Sequence, residues 1–107
     1  MNKVTVAFDI DGTLRCNCTD TCQDLNLRVA EGLYFMRHMK NVRIMVWSGG
    51  GVQYVEQFLN RHNIGTRKFC LASKLDPSTW RWGKPDIAVD DQQGFALGTV
   101  NLIVREK

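Results

Sequence analysis

Residues 4–14 read Val4-Thr5-Val6-Ala7-Phe8-Asp9-Ile10-Asp11-Gly12-Thr13-Leu14. The β-branched and aromatic side chains at Val4, Val6 and Phe8 predict a short buried strand. It stops at Asp-Gly, a tight-turn signal, and Gly12 lets the chain swing away and expose backbone amides. Period-two alternation aims Asp9 and Asp11 to the same side across Ile10. Two acids terminating a buried strand are costly unless something partners them, so a turn alone does not account for the pair.

Working outward, Val29, Leu33, Met36 and Lys40 follow helical spacing, with Asp24 early and Asn41 suited to a left-handed exit. Val42 to Trp47 is a second apolar run, cut by Ser48 and three glycines. Val52, Val55, Phe58, Leu59 and His62 then repeat at helical spacing, so a second strand feeds a second helix through a glycine loop. Short strands are predicted at Phe69 to Ala72, at Ile87 to Val89 before Asp90-Asp91, and at Leu102 to Val104. Strands alternating with helices predict an α/β fold: a three-layer, Rossmann-like parallel sheet sandwiched by helices. In such a sheet ligands bind at the carboxyl ends of the strands, where Asp9, Asp11, Ser48, Asp90 and Asp91 would gather.

The 107 residues, 44% of them hydrophobic, predict one domain spanning 1–107 with a core of its own. A net charge of +3 is too mild to identify a nucleic-acid binder, though it suits an anionic substrate. The apolar start is too short for a signal peptide, and no run of 18 apolar residues occurs, so a cytoplasmic protein without membrane partners is expected.

The segment Phe8 to Leu14 resembles the first motif of the haloacid dehalogenase superfamily, Asp-x-Asp-Gly-Thr after a hydrophobic strand. Ser48 resembles the second motif, Lys84 the third, with Lys74 as competitor, and Asp90-Asp91 the fourth. The resemblance implies a phosphohydrolase in which Asp9 attacks phosphorus to form an aspartyl-phosphate. Asp11 would protonate the leaving oxygen and touch the metal through its backbone carbonyl. Dehalogenating members normally lack the second acid, so Asp11 favours phosphate chemistry. The intervals in which the family inserts a cap domain are too short here, which implies an open site.

The chemistry of the residues points the same way. Converging carboxylates repel unless a cation sits among them, and an all-oxygen set this sparse suits magnesium. The expected metal ligands are Asp9, Asp11, Asp90 and Asp91, with Asp90 preferred over Asp91 for direct contact. Ser48, Gly49 and Lys84 would bind the substrate phosphate, with further amides at Ile10, Asp11 and Gly50. Phosphorylated small molecules or macromolecules are the expected partners, with nucleotides and nucleic-acid ends among them. A noncatalytic regulatory or binding module on the same fold is the alternative.

Cys16, Cys18 and Cys22 cluster beside the first motif, but a structural zinc site wants four ligands and Cys70 belongs to strand three. Free thiols are the expectation. Trp80 and Trp82 flank Arg81 and are read as packing residues, with base stacking as the functional alternative.

Overall fold

The computed structural model describes residues 3–16, 25–91 and 98–104. Five strands form one parallel sheet: β1 (Val4–Asp9), β2 (Val42–Ser48), β3 (Phe69–Ser73), β4 (Ile87–Asp90) and β5 (Val100–Ile103). Their order is β3-β2-β1-β4-β5. β1 lies at the centre, and five of its six residues are buried because both faces are covered.

Helix α1 (Leu27–Met36) joins β1 to β2, and α2 (Val52–Arg61) joins β2 to β3. Both connections step toward the same edge of the sheet. Right-handed crossovers therefore place both helices on one face. The core on that face joins Val6, Phe8, Ile44 and Val46 to Ala30 and Leu33 of α1 and to Val55, Phe58 and Leu59 of α2. The Asn26 side chain caps α1 by accepting from the Val29 amide at 3.4 Å. The helix ends at Met36, earlier than its sequence pattern suggests. Among the described non-glycine residues the left-handed one is Asn63, after α2 (φ 57°), and not Asn41, whose carbonyl instead accepts from the Val4 amide at 2.8 Å. Asp24 lies outside the described residues.

The other face departs from the expected helix-covered third layer. Alternate residues Ala7, Met45, Trp47, Cys70 and Ala72 pack there under Trp80 and Trp82. The long crossover from β3 to β4 contains only a single 3₁₀ turn, Pro77–Thr79. Two tryptophans do the covering, each able to bury about 150–250 Å². Trp80 meets Trp47 edge to face at 5.4 Å and donates from its indole nitrogen to the Ser73 carbonyl at 2.7 Å.

Among the described residues, no helix is long and apolar enough to cross a membrane. Cys18 and Cys22 lie outside those residues, whereas Cys16 is disulfide-bonded, contrary to the expectation of free thiols. Cys70 is a buried free thiol in β3.

Candidate active site

Because all five strands run parallel, their carboxyl ends share one edge. The order reverses between β1 and β4, where an open α/β sheet forms its crevice. The register pairing Phe8 with Val89 sets the next residues, Asp9 and Asp90, side by side at that crevice. Both are buried, at 5% and 3% exposure. Asp91 follows on the turn, and one carboxylate oxygen from each of Asp9, Asp90 and Asp91 lies within 4.8 Å of the others.

Gly12 makes this approach possible. Its φ is +80°, and a Cβ there would overlap the Asp91 carboxylate. Any side chain would be strained and would also push Asp91 away.

The group compensating these acids is Lys74, on the turn leaving β3. Its ammonium lies 2.8 Å from Asp9 Oδ1 and 2.6 Å from Asp90 Oδ2, and 5.9 Å from the centre of the Trp47 ring. Burial works against that charge, but the two carboxylates outweigh it and hold the amine above its ordinary value. The turn is tied down at several points. The Lys74 amide donates to the Ser48 carbonyl at 3.1 Å, the Thr79 hydroxyl accepts from the Ser73 amide at 2.9 Å, and Trp80 holds the Ser73 carbonyl.

Lys84 is not brought to the carboxylates. It is exposed, and it precedes β4 whereas Asp90 ends it. The neighbouring Asp86 pairs with Thr5 at the amino-terminal edge, its carboxylate accepting from the Thr5 amide at 2.8 Å. Six residues of extended chain span roughly 20 Å, so the strand that delivers Asp90 to the crevice keeps Lys84 at the far edge.

Burial is the largest influence on Asp9, and Asp90 and Asp91 add to it. Together they exceed the opposing pull of Lys74, raising its carboxyl from 3.8 to about 7. Burial and a hydrogen bond with Asp90 raise Asp91 as well. The Thr13 hydroxyl donates to Asp9 Oδ2 at 3.4 Å.

A cleft of about 260 Å³ opens over these groups, lined by Asp9, Asp11, Ser48, Gly49, Gly50, Lys74 and Leu75. The Asp11 carboxylate stands apart from the metal-competent trio. Its Oδ1 accepts from the Tyr54 hydroxyl at 2.6 Å and from Arg15 at 3.1 Å. Ser48 Oγ accepts from the Gly50 amide at 3.0 Å, which keeps the hydroxyl proton for another acceptor. That amide is therefore already engaged. Ser48 does not cap α2, whose N-cap is Gly51 without a side-chain hydrogen bond.

The three-carboxylate group fits a hard divalent cation. All its donors are oxygens, and an ion about 2.1 Å from each requires them within about 4.2 Å, a contraction of well under 1 Å. Burial is the first cause of the raised Asp9 carboxyl, and the Asp90 and Asp91 charges add a repulsion that a bound cation would relieve. Tyr54 and Arg15 were not singled out by sequence reasoning, and Thr13 entered only as part of the first motif. Tyr54 had the one usable signal, since the first turn of a helix entered from a glycine loop faces the edge where that loop lies.

No protein-family model, curated protein or solved structure matches the chain. The chemistry therefore rests on the residues themselves.

Proposed function

We propose that the chain is a magnesium-dependent phosphohydrolase of the haloacid dehalogenase kind, cleaving phosphate monoesters through an aspartyl-phosphate on Asp9. The observation that carries this reading is the junction of Asp9, Asp90 and Asp91 with the Lys74 ammonium, under a cleft that also presents Asp11 and Ser48. Three carboxylates and one ammonium leave a deficit of two positive charges when all are ionised. A phosphate dianion deepens it.

Asp9, Asp90 and Asp91 would hold magnesium, which offsets that deficit and stabilises charge on the phosphoryl oxygens. Asp9 would attack phosphorus, and Lys74 and the Ser48 hydroxyl would receive the equatorial oxygens. Asp11, on the open side, would protonate the leaving oxygen and later take a proton from water. Lys74 here replaces Lys84 in the phosphate-binding set.

The cleft is lined in part by the exposed Leu75, which favours a substrate whose bulk lies outside the protein. Nucleotides, nucleic-acid ends and phosphorylated macromolecules belong to this proposal. So does a cytoplasmic location.

The test is phosphate release from a panel of phosphomonoesters with magnesium and with chelator, joined to beryllofluoride treatment and mass analysis of Asp9. Magnesium-dependent release and an adduct on Asp9 are expected. Undiminished release from metal-stripped protein would refute the site. Absence of both release and adduct would favour a noncatalytic module.

A further inference from the structure

Asp11 is gripped on one oxygen only. Both the Tyr54 hydroxyl and Arg15 Nη1 donate to Oδ1, at 2.6 and 3.1 Å. Each donor comes from fixed backbone. Tyr54 sits in the first turn of α2, its ring packed against the helix-side core. Gly50 closes on that ring so tightly that a Cβ at Gly50 would lie 3.0 Å from it. Arg15 is pinned by its amide to the Ile10 carbonyl at 2.8 Å and by its carbonyl to the Gly12 amide at 3.0 Å. Without these bonds a carboxylate 56% exposed would sample several rotamers.

We propose that Tyr54, assisted by Arg15, is a positioning residue for acid–base chemistry, orienting the Asp11 carboxylate so that Oδ2 carries the transferred proton. This rests on the phosphohydrolase reading above. In the first half-reaction the Asp9–phosphorus bond forms and the phosphorus–ester bond breaks, while Oδ2 gives its proton to the departing oxygen. In the second, water's oxygen bonds to phosphorus and the Asp9–phosphorus bond breaks, while Oδ2 takes the proton from water. Holding the carboxylate by Oδ1 keeps one oxygen for both transfers. The closeness of Gly50 to the Tyr54 ring gives that glycine a purpose, namely to let the ring reach Asp11.

The experiment compares wild type, Tyr54→Phe, Asp11→Asn and the double variant on an alkyl phosphate and on p-nitrophenyl phosphate. Losing a hydrogen bond to a charged group should lower kcat of Tyr54→Phe about 10- to 100-fold on the alkyl ester. KM should hold, and the loss should stay within about threefold on the nitrophenyl ester, whose leaving group needs little protonation. In the Asp11→Asn background, Tyr54→Phe should cost less than about twofold more, because the group it positions is already disabled. A merely structural tyrosine would cost the same in both backgrounds. Equal losses on both esters, full additivity, or no loss would each overturn the proposal while wild-type turnover and the Asp9 beryllofluoride adduct left the phosphohydrolase reading standing. If wild type shows neither, both fall together.

Discussion

Replacing Asp9 with Asn should abolish turnover and yet stabilise the metal-free protein above neutral pH. Asp9 is buried, and its carboxyl titrates near 7 in the folded chain against 3.8 in the unfolded one. Below pH 3.8 both states hold the proton. Between the two values only the folded state does, so stability is lost as pH rises and the loss is complete above about 7. A gap of about three pH units at about 1.36 kcal/mol each corresponds to roughly 4 kcal/mol. That is a large share of the roughly 5–15 kcal/mol that holds a domain together. Asn carries no titrating proton, so the variant should escape most of this decline and keep only the smaller slope from Asp91, whose carboxyl is raised too. The assay is urea or thermal unfolding in chelator from pH 5 to pH 8. Wild type should lose on the order of 15 °C in Tm relative to Asp9→Asn across that interval. Adding magnesium should flatten the wild-type profile, since the cation replaces the proton. Parallel profiles for the two proteins in chelator would show that Asp9 is not confined as described, and the reasoning would fail.

Other perturbations address the remaining contacts. Lys74→Ala should reduce kcat/KM by roughly 100-fold or more, the scale for removing one electrostatic stabiliser, while Lys84→Ala stays within about twofold. Comparable losses from the two would move the cation site away from β3. Gly12→Ala should cost about 1–3 kcal/mol in denaturant unfolding and weaken magnesium binding by calorimetry, because it imposes positive φ on alanine and displaces Asp91. Wild-type magnesium affinity in that variant would contradict the packing. Trp80→Phe keeps the aromatic contact with Trp47 but loses the donor to Ser73, and should cost about 1 kcal/mol. A drop in turnover in the folded variant is expected as well, measured as kcat on p-nitrophenyl phosphate, since that bond steadies the turn bearing Lys74.

The central strands and α2 were legible because their signals are local. A buried parallel strand is a continuous apolar run, and α2 is a 3.6-residue repeat entered from a glycine loop. That Asp9 and Asp90 share an edge was legible too, because parallel strands put their carboxyl ends on one side whatever the order; their adjacency depends on β4 pairing with β1. Lys84 was misplaced for the same geometrical reason read backwards. Nearness to Asp90 along a strand means distance across the sheet, whereas Lys74, remote in sequence, leaves the end of another strand. Among the described residues no helix covers the second face, an outcome the fold class does not suggest, although the segment from Leu75 to Pro85 has no helical repeat and two tryptophans. Arg15 gave no warning, since its role depends on how the turn after Asp11 doubles back. The Cys16 disulfide contradicts an inference from compartment rather than from geometry.

The tryptophan-pinned crossover also has a dynamic consequence. A helix carries its own ladder of hydrogen bonds, but this segment is secured by a handful of ties at Ser73, Thr79 and Trp80. Such a segment can detach as a unit at a free-energy cost well below that of global unfolding. Amide exchange should therefore be faster across residues 74–84 than in the β1 and β2 ladder. Each opening would carry Lys74 away from Asp9 and Asp90, leaving their charges uncompensated until the indole returned. The frequency of that excursion, and not the rigidity of the sheet beneath, would set how much of the time the carboxylates and their cation stand assembled.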